Sequence, residues 1–219
     1  MAAAQRPNKA KPVPARSKSN LPIAGIAVGA VVVILIIAVM FAGGDQLGGA
    51  EFGEPEISGD ALPLTLDSNP IDATQDPAFG LAIPEVTGQD FDGNTVEIKR
   101  GAPTALLFVS HSCPHCQDEI PEVQSWLDAG GGVDGVDIIT VSTVANSAAS
   151  NWPPSSWLAG EGWEPDVIAD DSDSSVFAAF GGQAIPYWVF VDGDGNVAQR
   201  TSGRMQIPAI EAAMLAIAE

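Results

Sequence analysis

Residues 104–127 read TALLFVSHSCPHCQDEIPEVQSWL and decide the fold of this chain. The run from Thr104 to Val109 is almost wholly apolar, which favours a strand buried on both faces. After the two cysteines, apolar residues at Ile120, Val123 and Leu127 recur at helical spacing. The stretch therefore predicts a buried strand, a Cys-x-x-Cys turn and a helix, in that order.

Cys113 and Cys116 are the only cysteines among the 219 residues. Exported proteins that rely on structural disulfides usually carry several pairs, which link distant segments. A pair separated by only two residues closes a loop too small for chain entropy to explain it. We interpret the pair as a redox-active dithiol that needs no cofactor beyond its own disulfide.

The position of the pair at a helix start suggests a role for each sulfur. Unpaired N–H groups and aligned peptide dipoles favour a thiolate there, so Cys113 is predicted to be the attacking nucleophile. Cys116, one helical turn further in, is predicted to resolve the mixed disulfide. Pro114 starts the helix with a preset φ, and His115 can lower the pKa of Cys113 by partial charge or a hydrogen bond.

Zinc sites use the same cysteine spacing, and His111 or His115 could supply nitrogen ligands. Structural zinc usually needs a second pair of ligands, which this sequence lacks. We therefore predict no metal ligands, and a zinc or copper carrier is the alternative function. His111 is interpreted more simply as a loop residue without a role.

The N-terminal part of the chain differs in charge from the rest. Five of the nine Lys and Arg lie within residues 1–20, whereas all 28 Asp and Glu follow residue 40. Residues 21–42 carry no charge and are long enough to cross a bilayer. We predict a basic cytoplasmic tail followed by a single transmembrane anchor, with the remainder outside the cell membrane. A cleaved secretory signal is the alternative, and it also exports the remainder.

The acidic remainder divides into a linker and one domain. Residues 43–76 are rich in Gly, Pro and acids and predict a flexible linker, and residues 77–219 suffice for one mixed α/β domain. The net charge of −19 excludes nucleic acid as a partner. The further predicted elements are a hairpin over 88–98, a parallel strand over 136–142, an insertion over 147–165, a helix over 174–180, a second hairpin over 187–201 and a helix over 207–218.

Two segments resemble the TlpA/ResA-like membrane-anchored oxidoreductases of the thioredoxin superfamily. Residues 113–121, CPHCQDEIP, are similar to that family's C-x-x-C-x-x-E-x-P pattern, and residues 184–195, AIPYWVFVDGDG, are similar to its segment around a cis-proline. The resemblance runs from Ala82 to the C-terminus. It implies a thioredoxin-like fold, a central mixed sheet flanked by helices, behind an N-terminal transmembrane helix.

The resemblance also implies site residues and departs from the superfamily at others. Pro186 is the expected cis-proline facing the disulfide, and Ile185 and Ser112 are expected to face the substrate. Thioredoxins commonly have Trp where Ser112 stands, and often a buried acid where Leu107 stands. Glu119 fits either a proton-relay role or a solvated or helix-capping charge, so proton handling is unassigned.

The function predicted from the sequence is an extracytoplasmic thiol-disulfide oxidoreductase that exchanges disulfides with exported proteins. A membrane protein is the expected redox partner. The direction of transfer stays open, because CPHC resembles DsbA-type oxidants while the surrounding sequence resembles TlpA/ResA-type reductases. A non-catalytic binding module is a further alternative, and a peroxiredoxin is disfavoured because no P-x-x-x-[ST]-x-x-C pattern occurs.

Overall fold

The computed structural model describes residues 51–65 and 73–218. The predicted cytoplasmic tail (1–20), the predicted anchor (21–42) and the first part of the predicted linker (43–50) lie outside the described residues. In the two ranges that are described, no helix is both long enough and apolar enough to cross a membrane.

The described residues form strands and helices in a mixed α/β order. The strands are β1 (Glu56–Ser58), β2 (Glu85–Gln89), β3 (Thr95–Ile98), β4 (Thr104–Val109), β5 (Asp137–Ser142), β6 (Asp166–Ala169), β7 (Tyr187–Val191) and β8 (Val197–Ser202). The helices are α1 (Pro114–Asp128), α2 (Pro154–Gly160), α3 (Ser175–Ala179) and α4 (Ile207–Ile217), with a 3₁₀ turn at Ala73–Gln75. The two predicted hairpins (88–98 and 187–201) and the predicted helices over 174–180 and 207–218 agree with these bounds to within a few residues.

The central sheet has the strand order β6-β5-β4-β7-β8. β4 pairs in parallel with β5, as predicted for two buried strands joined by a helix, and antiparallel with β7. All six residues of β4 are buried. Leu106 and Phe108 enter one apolar cluster, while Leu107 and Val109 enter the other, which also contains Cys116. The continuous apolar run therefore reflects a strand with a core on each face.

Residues 51–65 correct the predicted linker. β1 pairs antiparallel with β2, with Ile57 opposite Val86, and β3 completes this second sheet. Leu62 is buried, and its N–H donates to the carbonyl of Ala179 at 2.8 Å. Gly53 lies so close to the carbonyl of Ala169 that a side chain would collide with it. The domain start predicted at residue 77 is therefore too late. Residues 51–65, the arm, contain few apolar side chains, but main-chain hydrogen bonds pair them with the rest of the domain.

A buried ion pair fastens the arm and the 3₁₀ turn to β8. The guanidinium of Arg200 binds both carboxylate oxygens of Asp76, with Nε 3.0 Å from Oδ2. It also donates from Nη1 to the carbonyl oxygens of Pro63 at 2.8 Å and Phe180 at 3.1 Å. Arg200 is 2% exposed and Asp76 6% exposed, so both charges are withdrawn from water.

The predicted insertion over 147–165 holds α2, and β6 follows it. β6 pairs in parallel with β5 and was not predicted, because its apolar run is only three residues long. An apolar run of that length is common in loops, so only the pairing partner makes it a strand.

Candidate redox site

Cys113 lies at the end of the turn between β4 and α1, directly before the first residue of the helix. Its φ of −82° and ψ of 118° are those of a helix cap, and its N–H donates to the carbonyl of Ser110 at 3.1 Å. The side chain is partly exposed. Its Sγ donates to the carbonyl of Ile185 at 3.6 Å, so two loops meet at this sulfur.

Cys116 has a different environment although it is only one helical turn away. It is fully buried, in the cluster that also contains Ile120 and Trp188. Burial raises the pKa of its thiol well above the ordinary value, and the neighbouring Cys113 raises it further, against a hydrogen bond with the Ser110 main chain. Cys113 is therefore the sulfur that a substrate can reach, and Cys116 holds its proton more firmly than an ordinary thiol does.

The Ile185–Pro186 peptide bond is cis. Pro186 is buried, and its carbonyl accepts from the N–H of Gly203 at 2.8 Å. The structure thus brings Ile185 and Pro186 to the cysteine pair from the loop before β7. The contribution of this loop to substrate binding stays a prediction.

The other residues predicted for the site lie around the same turn. Ser112 is half-buried, and its Oγ is 3.1 Å from the Oγ of Ser110. Pro114 and His115 are exposed on the first turn of α1. The predicted influence of His115 on Cys113 stays a prediction.

His111 was wrongly interpreted as a residue without a role. Its ring is fully buried, and its Nε2 accepts from the N–H of Asn146 at 3.2 Å, so its Nδ1 carries the hydrogen and donates to the carbonyl of Ser150 at 2.7 Å. Its own carbonyl accepts from the side chains of Gln117 at 2.8 Å and Asn151 at 3.3 Å. His111 thus joins the turn before Cys113 to the loop of residues 144–151. Nothing in the sequence indicates this contact, because it depends on how that loop folds back.

The same hydrogen bonds bear on the metal alternative. Both ring nitrogens of His111 face main-chain groups, so neither points a free lone pair at the cysteines. Within the described part of the chain, no three His, Cys, Asp or Glu side chains are grouped to hold a metal ion.

Glu119 lies one turn beyond Cys116 on α1 and is fully buried, so the solvated interpretation was wrong. Its Oε1 accepts from the indole N–H of Trp188 at 3.2 Å and from the N–H of Met205 at 2.7 Å, while Oε2 is buried without a hydrogen-bond partner. Burial raises the pKa of this carboxyl to about 7, although both hydrogen bonds oppose the change. The carboxylate in turn makes a small contribution to the raised pKa of Cys116.

Replacing Glu119 with Gln is expected to change how stability depends on pH. The folded protein keeps the Glu119 proton up to a pKa of about 7, whereas the unfolded chain releases it near the ordinary value of 4.5. Stability therefore falls as pH rises from 4.5 to 7, by about 3 kcal/mol at about 1.4 kcal/mol per pKa unit. Gln keeps the oxygen that accepts both hydrogen bonds but does not titrate. The variant should therefore lack this decrease in stability between pH 4.5 and pH 7.

Urea unfolding of both proteins at pH 4 and pH 8 measures the effect. All other groups, including Asp170, whose pKa burial also raises, titrate in both proteins and cancel in the comparison. An equal loss of stability in the two proteins over this pH range would contradict the expectation.

Comparison with known proteins identifies the family. The AhpC/TSA family model matches residues 79–200, which is more than half of the chain. The chain belongs to the AhpC/TSA family. The match covers the whole central sheet up to the middle of β8, and the arm of residues 51–65 precedes it. No curated protein matches this AhpC/TSA-family chain significantly.

Solved structures establish the fold of this AhpC/TSA-family chain. StoA from Bacillus subtilis is 21% identical, with 59% of this chain and 95% of that protein covered and a TM-score of 0.50. A thioredoxin-family thiol:disulfide interchange protein from Chlorobium tepidum is 18% identical, with 64% and 97% covered and a TM-score of 0.52. The thioredoxin domain of a thiol-disulfide oxidoreductase from Bacteroides vulgatus is 20% identical, with 62% and 96% covered and a TM-score of 0.50. The prediction of a thioredoxin-like fold is confirmed.

Proposed function

We propose that this AhpC/TSA-family chain is a thiol-disulfide oxidoreductase whose redox centre is the Cys113–Cys116 pair. One observation carries the proposal. A partly exposed thiol stands at the start of a helix, with a buried second thiol one turn behind it and the cis Ile185–Pro186 bond beside it. Disulfide exchange needs an accessible attacking sulfur and a sheltered resolving sulfur, and this arrangement supplies both.

The exchange proceeds in two balanced steps. The Cys113 thiolate attacks one sulfur of a substrate disulfide, forms a mixed disulfide and releases the other substrate sulfur as a thiolate. The Cys116 thiolate then attacks the Cys113 sulfur, forms the Cys113–Cys116 disulfide and releases the second substrate thiolate. Two electrons pass from the dithiol to the substrate, and the reverse sequence oxidises a substrate dithiol. The reduction potential of the pair sets the direction.

We propose Glu119 as the acceptor of the Cys116 proton in the second step. The Cys116 thiol lies in an apolar cluster and must lose its proton before it can attack. Glu119 is buried one helical turn away with an unpartnered oxygen, and a pKa of about 7 suits proton exchange near neutral pH. The Glu119→Gln protein gives a second readout here, because resolution of the mixed disulfide should slow while its formation should not. Equal slowing of both steps would remove Glu119 from this role.

We further propose that the domain acts outside the cell membrane on exported proteins, with a membrane protein as its redox partner. The basic segment 1–20 followed by the uncharged segment 21–42 supports this location. The acidic composition of the remaining chain supports protein partners over nucleic acid.

Trapping with a Cys116→Ala variant tests the proposed reaction. Without the resolving sulfur, Cys113 should stay linked to its substrate, and a mixed disulfide with a disulfide-bearing exported protein should accumulate on non-reducing gels. Mass spectrometry should place the linkage at Cys113. The matched control is a Cys113→Ala, Cys116→Ala protein, and equal amounts of adduct with that control would rule out the proposed reaction.

A further inference from the structure

Two of the non-glycine residues with a left-handed backbone lie in the loop of residues 144–151, which is hydrogen-bonded to the turn before Cys113. Among the described residues, three that are not glycine have positive φ, namely Val144 at 48°, Asn151 at 59° and Ser174 at 58°. The side chain of Asn151 donates to the carbonyl of His111 at 3.3 Å, two residues before Cys113. The other two bind each other, since the N–H of Val144 donates to Oγ of Ser174 at 3.2 Å.

Val144 is the most costly of the three. Asn and Ser tolerate a left-handed backbone more readily, whereas a β-branched residue there is an outlier. A left-handed conformation is energetically unfavourable for a residue other than glycine, and such outliers persist where the surroundings impose them. The surroundings do so here, because the N–H of Val144 binds Ser174 and its carbonyl accepts from Oγ of Ser110 at 3.1 Å.

The side chain of Val144 gains little from this conformation. It is 44% exposed, so its burial does not offset the backbone strain. A polar or glycine residue at this position would satisfy the same two main-chain hydrogen bonds without an apolar surface in water. The strained position therefore presents an isopropyl group to solvent, which suggests a function outside the folded chain itself.

Val144 is joined by hydrogen bonds to the turn that carries Cys113, the sulfur that the substrate must reach. Ser110, which binds the Val144 carbonyl, also lies 3.1 Å from Oγ of Ser112 and accepts the N–H of Cys113 at 3.1 Å through its carbonyl. The side chain of Ser110 thus lies between the carbonyl of Val144 and Ser112, the residue that precedes Cys113. His111 holds the rest of this loop through its hydrogen bonds to Asn146 and Ser150. Val144 is therefore held both by its own hydrogen bonds and by those of the loop that follows it.

We propose that Val144 is a specificity-determining residue, which contacts an apolar side chain next to the substrate cysteine. This inference rests on the proposed function. The substrate is a polypeptide in which Leu, Val or a similar residue flanks the reacting cysteine, and the contact is buried when Cys113 attacks. The strained loop holds the isopropyl group in place before binding, so little freedom is lost when the contact forms.

The test pairs two substrates with four proteins. The substrates are two peptides that carry one cysteine as a disulfide with 2-nitro-5-thiobenzoate and differ only in a Leu or a Ser beside it. Cys113 attacks the peptide sulfur and releases nitrothiobenzoate, whose absorbance gives the rate. Cys116 then displaces the peptide thiol, and the Cys113–Cys116 disulfide remains. The proteins are the wild type, Val144→Asn, Val144→Gly and the matched control Leu81→Asn.

Leu81 is a suitable control because it has nearly the same exposure at the other end of the sheet. Leu81 is 45% exposed, and its carbonyl accepts a hydrogen bond from the N–H of Val197 in β8. Val197 is opposite Val191 in β7, and Val191 is opposite Thr104. Thr104 is the first residue of β4, at the end of that strand away from the cysteines. An apolar-to-polar change there leaves the redox site untouched. It shows what such a change does to the protein in general.

Val144→Asn is expected to lower kcat/KM for the Leu peptide by about tenfold and for the Ser peptide by less than about twofold. Its melting temperature should rise by about 2 °C, because Asn relieves strain that Val imposes. A Val144→Gly variant should show the same loss of preference, which excludes an effect specific to Asn. Leu81→Asn should leave the preference for the Leu peptide unchanged.

Two outcomes would overturn the inference. An unchanged preference for the Leu peptide in both Val144 variants would show that the side chain does not touch the substrate. Equal slowing with both peptides would show that Val144 only shapes the loop. A wild-type protein that releases nitrothiobenzoate from neither peptide would instead contradict the proposed function.

Discussion

Replacing Cys113 with Ser is expected to lower the rate of disulfide exchange by about a thousandfold or more. A serine hydroxyl stays protonated where a thiol ionises, and it forms no disulfide, so the first step has no nucleophile. Cys116 cannot take over, because it is fully buried and its pKa is raised by that burial. The rate of mixed-disulfide formation with a peptide disulfide measures the loss.

The matched variant for this measurement is Cys116→Ser. It changes the same atom one helical turn away, yet it should form the mixed disulfide at nearly the wild-type rate and fail only to resolve it. The urea midpoints of both variants should stay close to that of the reduced wild type, which shows that the fold is intact. Similar rates of mixed-disulfide formation in the two variants would contradict the assignment of Cys113 as the nucleophile.

Replacing Arg200 with Met should lower the free energy of unfolding by about 3–5 kcal/mol. The substitution leaves the carboxylate of Asp76 buried without its cation, and it removes the donors to the carbonyl oxygens of Pro63 and Phe180. Met fills much of the same volume, so the lost charge and hydrogen bonds dominate the change. Urea unfolding of wild type and variant gives the difference.

Two further proteins separate the ion pair from general effects. Combining Arg200→Met with Asp76→Asn removes the uncompensated buried charge and should recover part of the loss. Arg204→Met removes an exposed arginine that binds Glu122, and it should leave stability unchanged, because water already screens that pair. A comparable loss at Arg204, or no loss at Arg200, would show that burial of the Asp76–Arg200 pair does not matter for stability.

The same ion pair shows why the start of the domain escaped prediction. Residues 43–76 contain few apolar side chains, so composition alone indicated a flexible linker. The arm of residues 51–65 is instead held by strand pairing with β2, by main-chain hydrogen bonds to α3 and to Asp170 directly after β6, and by Pro63 at the guanidinium of Arg200. β2 lies about thirty residues further along the chain and the other partners more than a hundred, so periodicity along the chain cannot reveal these contacts.

The stretch from Thr104 to Leu127 determined by itself the features that depend on neighbouring residues. Its apolar run specified a strand with a core on both faces, its spacing specified the helix, and the position of the cysteines at the junction identified the candidate redox pair. Local sequence suffices there because strand alternation, helical periodicity and the helix terminus involve residues only a few positions apart.

Tertiary structure alone decided the environments of Glu119, His111 and Val144. Whether Glu119 is a solvated charge or a buried acid with a pKa of about 7 depends on Trp188 and Met205, which other elements bring to it. The burial of His111 and the left-handed backbone of Val144 depend on a loop that begins more than thirty residues after β4. Burial and electrostatics are set by whatever surrounds a group in space, so the sequence located the cysteine pair while the fold determined the groups that surround it.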